Sequence, residues 1–223
     1  MLNPMPESYV YAPPTEPWLE LLHEDARILV FEKPSGLLTV PGKDPRLNDS
    51  LETRVRAQWP AATLVHRLDK DTSGVILMAL DKKALGDLGQ QFEKRRTRKR
   101  YVARVWGLIE EESGLIDLPL ATDWDNKPRQ CVDWETGRAS QTEWRVLARE
   151  AEATRVELNP LTGRTHQLRV HMLALGHPIL GDQFYATGAA LAAADRLQLH
   201  AQMLTFYHPD DGREMVFERP TPF

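Results

Sequence analysis

The densest group of reactive side chains in the sequence is His66-Arg67-Leu68-Asp69-Lys70-Asp71-Thr72-Ser73-Gly74. Arg67 and Lys70 flank Asp69 and favour its ionised form, which suits a carboxylate working as nucleophile or as general base; spacing does not choose between these roles. A second group, Gly163-Arg164-Thr165-His166-Gln167-Leu168-Arg169-Val170-His171, sets cations at an expected helix start, where backbone N–H groups and the dipole favour a phosphate or carboxylate. On such a helix Arg169 lies near His166 at three-residue spacing, whereas His171 points elsewhere. The third group is Lys94-Arg95-Arg96-Thr97-Arg98-Lys99-Arg100, six cations in seven residues, followed by Tyr101 and later by Trp106. Charge of this density binds phosphates, and rings close by stack on unstacked bases, so nucleic acid is the natural partner.

Rigid elements must hold these groups in place. The apolar run Gly74 to Leu80 is short and rich in branched residues, which predicts a strand buried on both faces directly behind the Asp69 cluster. Ile28 to Glu32 reads as another strand, stopped by Lys33-Pro34-Ser35-Gly36. Leu51, Val55 and Trp59 share one helical face, opened by Asp49-Ser50 and ended by Pro60, while Leu85, Leu88 and Phe92 predict a surface helix from Lys82 to about Lys94. Further strand patterns run over 101–107 and around 139–147, 154–158, 197–206 and 215–217, with Cys131 as an incidental strand residue. One more helix is expected from an N-cap at Thr165, with Leu168, Met172 and Leu175 on an apolar face, a basic face opposite, and Gly176 as its stop. Strands and a few helices without regular alternation indicate an α+β fold with a mixed, largely antiparallel sheet flanked by helices and loops. Pro4, Pro6, Pro13, Pro14 and Pro17 predict an extended arm over 1–17, leaving 18–223 as one domain.

Composition narrows the class. The 223 residues are 42% hydrophobic and 27% charged, as in ordinary globular proteins and unlike disordered or fibrous chains. A single cysteine excludes an internal disulfide and a thiolate zinc cage and suits the cytoplasm. Neither a long apolar run nor a signal-peptide pattern is present, which sets aside membrane and secreted classes. A net charge of −4 argues against coating nucleic acid through bulk charge, so any contact must rest on local patches. No His-Glu-x-x-His spacing, phosphate loop, dinucleotide glycine pattern or Gly-x-Ser-x-Gly elbow occurs; neither a metal nor a cofactor is expected.

The blocks KPSGLL (33–38), HRLDKDTSG (66–74), GRTHQLRVH (163–171) and HPILGD (177–182) follow one another in an order and spacing that resembles the RluA family of RNA pseudouridine synthases, over residues 18–218. The resemblance implies the pseudouridine synthase fold and the isomerisation of uridine to pseudouridine in folded RNA. It further implies Asp69 as the catalytic aspartate, Tyr101 as the active-site tyrosine, Arg169 as the arginine ion-paired with the aspartate, and a structural role for KPSGLL. RNA contacts are expected from Arg67, Lys94, Arg95, Arg96, Arg98, Lys99, Arg100, Arg164 and His166. Resemblance also suggests a tRNA anticodon stem-loop and a loop of 23S rRNA as substrates, and a monomer without an obligate protein partner is expected. Two other readings compete. A non-catalytic RNA-binding protein would use the basic run and have no need of Asp69, and a hydrolase would pair Asp69 with Asp71, which an extended loop sends to opposite sides.

Overall fold

The computed structural model describes residues 10–223. In chain order its elements are β1 (Glu20–Glu24), β2 (Ile28–Lys33), α1 (Leu51–Arg56), β3 (Thr63–Leu64), β4 (Ser73–Ala79), α2 (Lys82–Glu93), β5 (Arg98–Trp106), β6 (Ser113–Asp117), β7 (Leu120–Thr122), β8 (Gln130–Val132), β9 (Gln141–Arg149), β10 (Ala153–Pro160), α3 (Gln167–Ala174), α4 (Gly188–Ala192), β11 (Leu199–Tyr207) and β12 (Glu214–Glu218). The main sheet runs β1-β2-β4-β11-β5-β10-β9-β6, with β3 added to β4 and β12 to β11, while β7 and β8 form a separate hairpin. Its pairings are antiparallel except for β4 with β11, giving the mixed α+β architecture expected.

Strand alternation builds a core on both faces of this sheet. Ile28 and Val30 of β2 join Val75 and Leu77 of β4 beneath Ala84 and Leu88 of α2. The intervening residues Leu29, Phe31, Ile76 and Met78 turn the other way, onto Leu51 and Val55 of α1. All seven residues of β4 are buried, as its continuous apolar run predicts. In the far half of the sheet Ala103, Val105, Val156 and Leu158 carry Leu168 and Met172 of α3. Full burial of each such side chain contributes about 1.5–3 kcal/mol, enough to make β4 a firm support for the loop before it.

Local signals set the helix ends. Asp81 caps α2 by accepting the N–H groups of Lys83 and Ala84, and Ser50 and Thr53 form a reciprocal capping box at α1. Helix α1 stops at Arg56, short of Trp59, yet Trp59 still meets Phe31 edge-on at 5.9 Å. Strands β1, β3 and β6 escape the sequence pattern because they lie at or beside sheet edges: β6 buries only Ile116 and is held by register with β9. From Val10 to Leu19 the chain forms neither helix nor strand. Tyr11 donates to the Asp49 carbonyl and accepts from the Leu38 N–H, while buried Arg54 donates to the carbonyls of Pro14 and Trp18 and forks onto Asp49. Pro4 and Pro6 lie outside the described residues.

Candidate active site

The loop carrying Asp69 is anchored from beneath by the KPSGLL block. The Lys33 ammonium, fully buried, donates to three carbonyls, those of Pro34 (2.9 Å), Leu37 (2.7 Å) and Lys70 (2.9 Å). Burial pushes this amine down to about 7, against the pull of Asp71 and Asp69. Ser35 donates to the Asp71 carbonyl at 2.7 Å and Thr39 to the Leu68 carbonyl at 2.6 Å, so both sides of Asp69 are tied down. Gly74 then lets β4 run hard against β11: at its φ of +120° a Cβ would sit 2.3 Å from the Ala201 carbonyl oxygen. Ala201 pairs with Gly74 on one side and with Tyr101 on the other, so one residue of β11 bridges the strand behind Asp69 and the strand bearing Tyr101.

A cleft of about 650 Å³ opens here, lined among others by Asp69, Tyr101, Arg67, Lys99, Arg164, His166 and Arg169. Asp71 does not line this cleft; it lines a second cavity of about 510 Å³, together with Ser35, Ser73 and Arg196. Arg169 is buried and its Nη1 lies 3.4 Å from Oδ2 of Asp69. Its Nε and Nη2 fork onto Asp182 at 2.7 and 2.6 Å. Asp182, with no exposure, also accepts the N–H groups of Phe184 and Tyr185, whose rings lie 5.1 Å from the guanidinium. The firm partner of Arg169 is therefore Asp182, and Asp69 receives one longer contact. Burial opposes the charge on Arg169, but Asp182 and Asp69 together raise its pKa. In the chain, nothing but its place at the end of HPILGD singles Asp182 out.

Helix α3 differs from expectation. Its N-cap is His166, in a left-handed conformation (φ 53°) without a side-chain cap, in place of Thr165. Every residue from Gln167 to Met172 is buried, so there is no solvated basic face. The turn is held by Gln167, which accepts from the Thr162 hydroxyl and the Arg164 N–H and donates to the Gln141 carbonyl and the Thr142 hydroxyl. Nε2 of His166 lies 3.9 Å from Asp69, and burial lowers the imidazole pKa despite the nearby Asp69 charge, leaving it neutral at neutral pH. Burial, then the Asp69 charge, pushes the Tyr101 phenol up, so it keeps its proton. His171 points away from the cleft, to Thr142 and the Leu118 carbonyl.

The basic run is divided by the fold. Lys94 caps α2, Arg95 is left-handed (φ 56°), and β5 begins at Arg98, three residues before the strand pattern suggests. Alternation along β5 sends Lys99 to the cleft with Tyr101 and turns Arg98 and Arg100 onto Glu214 and Glu218 of β12. Trp106 does not join the run: five residues beyond Tyr101 along the strand, it is roughly 16 Å away. The aromatic partners are instead Phe92, under Lys99, and Tyr207, under Arg96. A positive rim survives at the cleft. Burial and then the charge of Arg95 lower the pKa of Lys99, and burial, then Arg138 and Arg95, lower that of Arg164.

Residues 27–174 match the RNA pseudouridylate synthase family. The chain belongs to this family. It is 56% identical over 214 residues to the dual-specificity RNA pseudouridine synthase RluA of Salmonella typhi, covering 96% of this chain and 98% of that protein. It is 55% identical over the same length to the RluA of Escherichia coli K12, with the same coverage. Human RNA pseudouridylate synthase domain containing 1 superposes with a TM-score of 0.76 at 30% identity, covering 98% of this chain and 87% of that one. The synthase is thus an isomerase acting on uridine in RNA, and the non-catalytic reading falls away.

Proposed function

We propose that the synthase isomerises uridines flipped out of loops in transfer RNA and 23S ribosomal RNA, as a cytoplasmic monomer with residues 18–223 as its catalytic domain and 1–17 as an arm. The observation that carries the site assignment is Asp69 at the cleft, facing a buried arginine that is itself fixed by Asp182. In the reaction the C1′–N1 bond breaks and its electron pair leaves with the uracil. The ring turns, C5 bonds to C1′, the proton at C5 departs and N1 takes one up. Asp69 can serve by adding to the sugar, by adding to the base, or by taking a sugar proton to give a glycal; each route needs a carboxylate at this place. Tyr101, its phenol protonated, stacks on or hydrogen-bonds the uracil, and exposed Arg67 at the mouth fills the space left in the RNA stack. Flipping costs about a few kcal/mol and least in loops, which favours loop substrates. Two RNA classes are inferred from the dual specificity named for the RluA relatives.

The test is tritium release from transfer RNA and from 23S fragments labelled at C5 of uridine, without added metal or nucleotide. Wild type releases tritium, and Asp69→Asn, which keeps shape and loses charge, releases none while binding RNA almost as well. Turnover by Asp69→Asn would refute the site assignment.

A further inference from the structure

Three groups lie in one hydrogen-bonded line leading to Asp69. The Gln130 backbone N–H of β8 donates to the Tyr185 hydroxyl oxygen at 2.8 Å, and that hydroxyl lies 2.7 Å from Nδ1 of buried His166. Among the described residues these are the two hydrogen-bond partners of the phenol. A backbone N–H can only donate, so the phenol oxygen accepts from Gln130 and its single hydrogen is free for Nδ1. The imidazole proton then resides on Nε2, the nitrogen 3.9 Å from Oδ2 of Asp69. In the opposite tautomer Nδ1–H would donate to the phenol and strand the phenol hydrogen without an acceptor in a buried place.

We propose that Tyr185 is a positioning residue that locks His166 in the Nε2–H tautomer, and that this N–H donates to the reacting nucleotide beside Asp69. The inference rests on the assignment of Asp69 as the reacting carboxylate. The ring has little freedom to turn: it stacks on Phe184 at 5.6 Å and 27° and meets Tyr185 edge-on at 5.6 Å. Its backbone is held in the left-handed region, which a non-glycine residue occupies at a cost, and the Gln167 clamp supports that turn. The gap of 3.9 Å is too long for a direct bond to Asp69 and leaves room for a substrate oxygen or for closure on binding. When the C1′–N1 electron pair leaves with the uracil, negative charge spreads onto its carbonyl oxygens, and a fixed N–H donor stabilises it with no proton transferred. The charged groups around the imidazole are Asp69 and Asp71 from the loop, Arg169 from α3, and Asp182; burial outweighs them and keeps the ring neutral.

The decisive measurement is long-range ¹⁵N–¹H correlation NMR on the full-length protein with labelled histidines, His166 being assigned by its loss in His166→Asn. The Nε2–H tautomer is expected in wild type at neutral pH, with the preference lost in Tyr185→Phe. In tritium release Tyr185→Phe should lower kcat about tenfold with KM unchanged, and His166→Asn about 100-fold, since asparagine tolerates the left-handed backbone and lacks a donor at the ε position. His166→Gln, whose amide reaches that position, should recover about tenfold of the loss. An Nδ1–H tautomer in wild type, or a Tyr185→Phe protein with unchanged tautomer and kcat, would overturn the proposal. Activity retained by Asp69→Asn would defeat the site assignment instead, and the tautomer spectrum separates the two failures.

Discussion

Asp182→Asn tests the support of the site most directly. The Arg169 guanidinium places two of its nitrogens on Asp182 at 2.6 and 2.7 Å, in a pair whose side chains are 3% and 0% exposed. The asparagine oxygen can still accept from Phe184 and Tyr185, so the turn keeps its bonds, but one arm of the fork then meets an N–H₂ group. Breaking a buried pair from one side costs about 3–5 kcal/mol, because the remaining charge stays buried. Asp69, a single contact at 3.4 Å with its side chain 29% exposed, recovers about 1 kcal/mol. The net loss is roughly 3 kcal/mol, which a protein of ordinary stability survives and which lowers Tm by about 6–12 °C at this size. Urea unfolding of Asp182→Asn, Arg169→Met and the double variant reads the coupling, expected at about 2 kcal/mol or more in favour of the double variant. Tritium release should fall in parallel, because an arginine freed from Asp182 moves against Asp69. A loss below about 1 kcal/mol, or additive effects in the double variant, would refute the view that Asp182 holds Arg169.

Other outcomes follow from the same geometry. His66 accepts the Leu77 N–H and stacks on Phe92, and burial with the charge of Lys99 pushes it down to about 3 from 6.5. Because the unfolded chain binds this proton first, stability is full above about pH 6.5 and falls as pH drops toward 3, by about 2 kcal/mol at pH 5; urea unfolding of His66→Gln should show a flatter profile between pH 4 and 6.5. Lys33→Met leaves three carbonyls without their donor, and one of them belongs to Lys70 in the Asp69 loop. A loss of roughly 3 kcal/mol in denaturant and a fall in kcat at nearly constant RNA affinity are expected, and an unchanged kcat would mean the loop needs no such anchor. For RNA affinity measured against salt, neutralising Lys99 and Arg164 should lower the log-log slope by a little under one unit each, while Arg98 and Arg100, engaged by Glu214 and Glu218, should matter less. Equal effects from the two pairs would count against the division made by β5.

Elements with a strong period were legible in the chain: β2, β4, α2 and the strands β9 to β11 all answer to runs of apolar residues or to helical spacing. Edge elements were not, since β1 and β6 bury too little of themselves to leave a pattern and exist through pairing. Within the site, Asp69 stood out by its neighbours, as did Tyr101 after the basic run. Asp182 and Tyr185 did not, because nothing local distinguishes a buried carboxylate from a turn residue, or a buried phenol from a core aromatic, before the partner is known. The basic run shows the reverse error. Its charges are adjacent in sequence and looked like one patch, yet period-two alternation turns neighbours to opposite faces.

The class of the fold, the family and a carboxylate flanked by cations are all legible in the chain alone, because each depends on residue types and their spacing. Pairing emerges only in the folded chain: Arg169 places its fork on Asp182, Lys33 secures the loop of Asp69, Lys99 faces the cleft while Arg100 does not, and Tyr185 reaches His166. The strength of a hydrogen bond or an ion pair depends on distances of a few ångströms between residues far apart in the chain, and those distances exist only once the sheet has closed its register.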